Sequence, residues 1–205
     1  LSSTLTTRGT MNTLSTDSIR QILAKNPRHA IYDETLMPAG VMVLIYPKHN
    51  DTCILLNKRT DTVEHHKGEI SFPGGSRDKN DKTLLDTALR ETEEEMGILA
   101  RDIEVLGELD DTPTSSHFLI TSYVGTIPAD YGFSPSSIEV EEVIEVPLKS
   151  LIDDSNMRSE VQIVDGALKH SPTYVYNGHI VYGATARILY RFLQLLRSVS
   201  DKETP

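Results

Sequence analysis

FPGGSRDKNDKTLLDTALRETEEEMGI, residues 72–98, is the most informative segment of this 205-residue chain. Three apolar residues in its second half recur at helical spacing: Leu85, Leu89 and Met96. They predict a helix over residues 83–96. Thr83 and Asp86 have the spacing of a capping box at its start, and Gly97 is placed to end it.

Three glutamates share one face of this predicted helix, because residues three and four apart lie side by side: Glu91, Glu94 and Glu95. Like charges at this spacing repel, and a bound divalent cation would reverse that cost. Ligands that are all oxygen favour hard cations such as Mg²⁺ or Mn²⁺. The alternative is an acidic face that only solvates the helix. A Gly-Gly turn upstream and Arg90 directly before the first glutamate favour a site for a metal and a phosphate.

Outside this segment, β-branched apolar runs predict strands and helical periodicity predicts helices. The predicted strands cover residues 39–46, 52–58, 103–109, 118–127, 161–164 and 174–176. The predicted helices cover residues 16–25 and 184–196, with short helices around 148–152. A loop is expected to carry the glutamates that follow residue 138. Strands that interleave with helices predict a mixed sheet covered on both faces.

The composition excludes several classes of protein. Thirty acidic against twenty basic residues give a formal net charge of -10, which argues against a nucleic-acid binder with a basic face. Twelve acidic and four basic residues lie between positions 78 and 111, so the excess surrounds the predicted helix. The single cysteine, Cys53, excludes a zinc cluster built from cysteine pairs. No run approaches the roughly 18 apolar residues of a membrane span, so no membrane partner is expected.

We expect one domain over residues 14–199, a flexible N-terminal segment 1–13 and a tail 200–205. The lone cysteine fits a reducing compartment, and the expected location is the cytoplasm. Residues 1–12 contain Ser and Thr but no acidic residue, so an organellar presequence is the alternative. The exposed face of the last predicted helix is compatible with a homodimer.

The segment 75–98 resembles the Nudix box, Gly-x5-Glu-x7-Arg-Glu-U-x-Glu-Glu-x-Gly-U, in which U is apolar. The matching residues are Gly75, Arg90, Glu91, Glu94, Glu95, Gly97 and Ile98. Asp81 replaces the first glutamate, eight instead of seven residues separate it from Arg90, and Thr92 replaces an apolar residue. The resemblance implies an α/β fold, a Nudix-type α/β/α sandwich with a mixed central β-sheet. It also implies metal-dependent hydrolysis of a small-molecule nucleotide substrate.

A second signature is similar to that of the coenzyme A diphosphatases, Leu-Leu-Thr-x-Arg-Ser-x3-Arg-x3-Gly-x3-Phe-Pro-Gly-Gly. Here Leu-Leu-Asn-Lys-Arg-Thr occupies residues 55–60, followed by Gly68 and Phe-Pro-Gly-Gly at 72–75. Glu64 stands where the signature has its second Arg. The resemblance implies coenzyme A or acyl-CoA as substrate. ADP-ribose, a dinucleoside polyphosphate or a nucleoside triphosphate is the alternative, and a non-catalytic nucleotide-binding domain is the second.

The resemblance also implies roles for single residues. Glu91 and Glu95 are expected to be the principal metal ligands, with Glu94 as a further ligand or base and Arg90 as the partner that orients a glutamate. Asp81 is either a helix N-cap or a subsidiary metal ligand. An additional catalytic base is expected among three glutamates, of which the last is favoured: Glu139, Glu141 and Glu142.

Substrate contacts are expected from the backbone of Gly74 and Gly75 and from basic residues near the signature. The basic candidates are Lys58, Arg59, His65, His66 and Lys67. Either histidine is alternatively a plain loop residue. Asp110 and Asp111 are expected to cap a turn.

Overall fold

The computed structural model describes residues 15–49, 51–61, 67–152, 154–164 and 167–200. An eight-stranded sheet forms its centre. Its strands are β1 (Met37–Lys48), β2 (Asp51–Arg59), β3 (Ile70–Ser71), β4 (Gly74–Ser76), β5 (Glu104–Glu108), β6 (Thr112–Pro113), β7 (Phe118–Thr126) and β8 (Val140–Pro147). Hydrogen-bonded neighbours run in the order β3-β2-β1-β7-β5, while β4 pairs with β1, β6 with β7 and β8 with β2. Only the pairing of β1 with β7 is parallel within these described strands, so the expected mixed sheet is confirmed.

Helices cover both faces of this sheet. They are α1 (Thr16–Lys25), α2 (Leu84–Met96), α3 (Leu148–Ile152) and α4 (Gly183–Ser200). Successive strand residues point to opposite faces, and β1 divides its buried side chains accordingly. Val43 and Ile45 pack in one cluster with residues of α1, α3 and α4, whereas Met42 and Leu44 pack in another with α2. The α/β/α layering expected from the sequence is confirmed.

Three further strands form an antiparallel sheet beside the main one: β9 (Met157–Val164), β10 (Ala167–Tyr176) and β11 (His179–Val181). Tyr174 and Val181 are buried with α4 in the larger hydrophobic cluster. The sequence predicted only residues 161–164 and 174–176 of this sheet, because the remaining positions lack a continuous apolar run. None of the described helices is long and apolar enough to cross a bilayer.

The predicted helix at 83–96 is confirmed as α2, together with its signals. The Thr83 side chain accepts from the Asp86 N–H, the Asp86 side chain accepts from the Thr83 N–H, and Gly97 ends the helix at φ 69°. Thr92 departs from the expected apolar residue, but it is fully buried and its hydroxyl donates to the Ala88 carbonyl at 2.6 Å. This local hydrogen bond lets a polar residue occupy a core position.

Two local predictions are wrong. Of the three glutamates expected on a loop, Glu139 lies on one, whereas Glu141 and Glu142 lie on strand β8, which pairs with β2. Asp110 and Asp111 do not cap a turn; they hold the segment that leads into β1. Arg28 donates to both Asp111 oxygens at 2.8 and 2.9 Å, and the His29 N–H donates to Asp110 at 2.8 Å. The predicted segment 1–13 and residues 201–205 of the predicted tail lie outside the described residues.

Candidate active site

Glycines bring helix α2 close to the strands β1 and β4. A Cβ at Gly40 would lie 2.3 Å from the Leu84 carbonyl oxygen, in the first turn of α2. Gly75 pairs with Gly40, and a Cβ there would lie 2.6–2.7 Å from the carboxyl atoms of Glu91. Both positions therefore need glycine for the helix to lie this close and for Glu91 to rest against the β4 backbone.

Glu95 is the most buried carboxylate of α2, with 1% of its surface exposed. Its Oε1 accepts from Arg59 Nη1 at 3.0 Å, and its Oε2 accepts from Asn57 Nδ2 at 2.9 Å and from the Gly74 N–H at 3.2 Å. Burial raises the pKa of Glu95 to about 7, against the opposing effects of Arg59, the Gly74 N–H and Asn57. Three donors bind the carboxylate, but together they do not offset the cost of burying its negative charge.

Arg90 joins the other two glutamates of the predicted face. Its Nη1 donates to Glu91 Oε1 at 2.8 Å and to Glu94 Oε2 at 3.0 Å. Glu91 is mostly buried and Glu94 is exposed. Burial raises the pKa of Glu91, while its contact with Arg90 opposes the shift. The ion pair that the sequence predicted between Arg90 and a glutamate is present.

The other edge of the Arg90 guanidinium is bound by Asp81. Arg90 Nε donates to Asp81 Oδ1 at 3.1 Å and Nη2 to Oδ2 at 3.0 Å, and Nη2 also donates to the Ser76 carbonyl at 3.2 Å. Thr87 and the Asp78 N–H complete the contacts of Asp81, and Arg90 holds the pKa of this carboxyl well below its usual range. Because Thr83 caps α2, the N-cap role considered for Asp81 is wrong. Asp81 anchors Arg90.

The structure separates the two basic residues of β2. Arg59 reaches Glu95, whereas Lys58 Nζ donates to Glu141 Oε1 at 2.8 Å. Adjacent strand residues point to opposite faces, which explains this division. His65, His66 and Glu64 lie outside the described residues, so their predicted roles stay predictions.

The loop between β7 and β8 is tied to the end of α2. The Ser136 N–H donates to the Glu95 carbonyl at 2.9 Å and the Ser134 N–H to the Met96 carbonyl at 3.0 Å. This loop carries Glu139, whose charge contributes to the raised pKa of Glu91. Glu142 lies on β8 instead, with Oε1 at 3.4 Å from His179 Nε2. Of the three glutamates considered as a base, Glu139 is the one among the main causes of the raised pKa of Glu91, and the role predicted for Glu142 stays a prediction.

The donor atoms fit a hard divalent cation in type, although their side chains do not yet converge. Among the described residues, no three Asp, Glu, His or Cys side chains are arranged to hold a metal ion. Glu91 and Glu94 each bind Arg90 through one oxygen, and within the described ranges the other oxygen accepts no hydrogen bond. With Glu95, they form an all-oxygen set in which two carboxylates have raised pKa values. A cation would offset the cost of burying these negative charges.

The comparison with known proteins agrees with this geometry. A family model described as the NUDIX domain matches residues 36–163, which include every strand and helix of the site. The chain belongs to the Nudix family. A relative from Photorhabdus laumondii named "Uncharacterized Nudix hydrolase NudL" is 33% identical over 172 residues, which cover 84% of this chain and 87% of the relative.

A relative of the same name from Yersinia enterocolitica is 33% identical over 178 residues, covering 86% and 90% of the two chains. The solved Nudix hydrolase RenU of M. smegmatis is 18% identical with a TM-score of 0.48, covering 82% of this chain and 88% of RenU. As a Nudix hydrolase, the protein acts on the phosphorus anhydrides of nucleoside diphosphate derivatives. Nudix hydrolases generally use divalent metal ions for this chemistry.

Two residues of the site were not singled out from the sequence. Asn57 and Ser71 lie in different strands, and each contributes to the hydrogen bonds around Glu95. Asn57 lies in the second signature, at a position where the coenzyme A diphosphatases have Thr. This difference was the sequence signal that could have pointed to Asn57. Ser71 gave none, because its role depends on the pairing of β2 with β3.

Gly75→Ala is expected to lower kcat/KM on the order of a hundredfold, because the new methyl group displaces the Glu91 carboxylate. The melting temperature should change little, since the displaced atoms end a side chain that can rotate. Steady-state kinetics and thermal unfolding test both statements. Gly132→Ala is the matched control, because a Cβ at Gly132 would meet nothing within 4 Å. Equal activity of the two variants would contradict the placement of Glu91.

Proposed function

We propose that the protein hydrolyses the diphosphate linkage of coenzyme A or acyl-CoA in one domain spanning residues 14–199. The products would be adenosine 3′,5′-bisphosphate and 4′-phosphopantetheine or its acyl derivative. One observation supports this substrate most directly. Arg59 and Gly74 belong to the second signature, and both donate hydrogen bonds to Glu95 of the Nudix box. The feature typical of the subgroup is therefore joined to the hydrolytic site.

The chain's own residues divide the work of hydrolysis. Glu91, Glu94 and Glu95 would hold Mg²⁺ or Mn²⁺, which neutralises a diphosphate and lowers the pKa of bound water. Arg90 orients Glu91 and Glu94, and Asp81 fixes Arg90. Arg59 brings a cation to the buried end of the site, where it can also meet phosphoryl oxygens. The backbone of Gly74 and Gly75 is the proposed substrate contact, and the lack of a side chain at Gly75 keeps the Glu91 carboxylate against β4.

The proton of the attacking water needs an acceptor, and Glu139 is the proposed one. Its loop is fixed to the end of α2 by the N–H groups of Ser134 and Ser136. Glu139→Gln is expected to reduce kcat about a hundredfold, as is typical of a lost general base. Glu142→Gln, which changes the carboxylate beside His179, should have a small effect. If steady-state assays showed a large loss of kcat in Glu142→Gln and a small one in Glu139→Gln, the base would be assigned to Glu142.

The alternative is a different nucleoside diphosphate derivative, such as ADP-ribose, a dinucleoside polyphosphate or a nucleoside triphosphate. Glu64 favours it, because it reverses the charge of a signature position. A non-catalytic nucleotide-binding domain is less well supported, since all three box glutamates are present.

A substrate panel tests the proposal. Coenzyme A, acetyl-CoA, ADP-ribose, NADH and a diadenosine polyphosphate are incubated with Mg²⁺ or Mn²⁺, and the products are separated by chromatography. We expect the highest kcat/KM for coenzyme A or acetyl-CoA, with adenosine 3′,5′-bisphosphate among the products. Equal or faster turnover of ADP-ribose would overturn the coenzyme A assignment and leave the hydrolase in place.

A further inference from the structure

Asn57 is a polar side chain with none of its surface exposed. A buried amide is costly unless its groups are hydrogen-bonded. Its Oδ1 accepts from Ser71 Oγ at 2.7 Å, and its Nδ2 donates to Glu95 Oε2 at 2.9 Å. The serine hydroxyl can donate to the amide oxygen, so the amide NH₂ is directed to the carboxylate. The orientation of Asn57 is thus determined from both sides.

We infer that Asn57 and Ser71 are positioning residues for the metal-binding carboxylate Glu95. The inference rests on the proposed function to the extent that Glu95 is a metal ligand. Ser71 fixes the amide of Asn57, and Asn57 fixes Glu95 Oε2. The pair connects β2 and β3 to α2, so the carboxylate is oriented by the sheet as well as by its own helix.

The other contacts of Glu95 cannot replace this pair. Arg59 binds the opposite oxygen, Oε1, and 21% of its side chain is exposed. The Gly74 N–H reaches Oε2 at 3.2 Å, a longer hydrogen bond than that of Asn57. Asn57 is therefore the one side-chain donor to Oε2 within the described residues. Its loss leaves that oxygen with a single backbone partner.

The experiment measures Mn²⁺ binding without any substrate, by the decrease of the free Mn²⁺ signal in electron paramagnetic resonance. Asn57→Leu keeps the branching of the side chain at Cγ, with a larger volume, and removes both the donor and the acceptor. We expect its Mn²⁺ dissociation constant to rise at least about tenfold, the size typical of a lost partner behind a metal ligand. Binding equal to that of the wild type would overturn the inference.

Ser71→Ala is the second variant, because it leaves Asn57 in place and removes only the hydroxyl that orients it. Its Mn²⁺ affinity should fall less than that of Asn57→Leu, and Ser71→Thr should restore it by supplying the hydroxyl again. If Ser71→Thr bound Mn²⁺ no more tightly than Ser71→Ala, the hydroxyl would have no positioning role.

Thr121→Val is the matched control for general destabilisation. Thr121 is 1% exposed and its hydroxyl donates to Asp111 at 2.8 Å, a carboxylate that has other donors, as Glu95 has. We expect a lower melting temperature and an unchanged Mn²⁺ dissociation constant. Weakened Mn²⁺ binding in this control would reduce the effect of Asn57→Leu to lost stability and overturn the inference.

The readout separates this inference from the proposed function. A wild type that binds Mn²⁺ through Glu95 and hydrolyses no substrate of the panel contradicts the proposed function alone. Unimpaired Mn²⁺ binding by Asn57→Leu in an active hydrolase contradicts the positioning role alone. A wild type that binds no Mn²⁺ contradicts both the metal site of the proposed function and the inference that rests on it.

Discussion

Glu95→Gln is expected to lower kcat on the order of a thousandfold. A metal ion contributes several kcal/mol of charge stabilisation to the transition state of hydrolysis. A loss of about 1.36 kcal/mol lowers the rate tenfold. Glutamine is a weak metal ligand and cannot supply the negative charge of the buried carboxylate. Steady-state kinetics over a range of Mg²⁺ and Mn²⁺ concentrations measure the loss. Excess metal should not restore the wild-type rate.

The same substitution should leave the metal-free fold close to wild-type stability. Burial raises the pKa of Glu95 to about 7, so the ionised carboxylate is not a strong source of stability without a metal. The neutral amide of glutamine removes the cost of burying a charge. Its NH₂ cannot accept a hydrogen bond, however, so one of the donors that now bind the carboxylate loses its partner. Thermal unfolding without metal should therefore give a melting temperature near that of the wild type. A large decrease would mean that lost folding explains lost activity.

Glu93→Gln is the matched control, because Glu93 is exposed on the same helix and its carboxylate accepts a hydrogen bond only from the Ala100 N–H, at 3.4 Å, among the described residues. Its kinetic constants should equal those of the wild type. Retention of more than about a tenth of wild-type kcat by Glu95→Gln would contradict the assignment of Glu95.

Helix α2 could be predicted from the sequence because its signals are local. Thr83, Asp86 and Gly97 define its ends within the helix and its flanks, whatever packs against it. Strand β8 could not be predicted from local signals. Lys58 pairs with Glu142 and Arg59 with Val140, so Glu141 is the extra residue of a bulge. Two exposed glutamates in succession hide the alternation of a strand, and only the pairing reveals it.

The candidate site shows the same division between local and distant contacts. Glu91, Glu94 and Glu95 lie on one helix, so their spacing predicts a common face. Asn57 approaches Glu95 only because β2 and β3 lie beside α2 in the folded sheet. The contact of Asp81 with Arg90 likewise depends on the course of the loop before α2. Periodicity within a segment carries no information about such contacts.

Arg90→Met is expected to reduce both stability and activity. Removing one partner of a buried ion pair typically costs about 3 to 5 kcal/mol, and Asp81 is only 6% exposed while Arg90 is 29% exposed. We expect a loss near the lower limit, about 3 kcal/mol, because water reaches part of the guanidinium. Without Arg90, Glu91 and Glu94 also lose their common donor, so kcat should fall on the order of a hundredfold.

The stability loss should depend on pH with a defined sign. Arg90 holds the pKa of Asp81 below its value in the unfolded chain, about 3.9. This stabilisation is therefore fully present above that pH and is lost as the pH falls through the folded-state pKa. The difference in unfolding free energy between wild type and Arg90→Met should be largest near neutral pH and smaller in acid. Urea denaturation of both proteins, near neutral pH and in acid, measures this difference in unfolding free energy.

Asp81→Asn separates the two roles of Arg90. It removes the carboxylate that anchors the guanidinium but leaves Arg90 free to bind Glu91 and Glu94, so stability should fall more than kcat. The double variant Asp81→Asn with Arg90→Met should be more stable than the sum of the single losses predicts, by roughly 1 to 3 kcal/mol, because both single variants break the same contact. Strictly additive losses would mean that Asp81 and Arg90 act independently. Any loss of activity in Asp81→Asn would then have another cause, and the proposed support of Glu91 by Asp81 through Arg90 would be wrong.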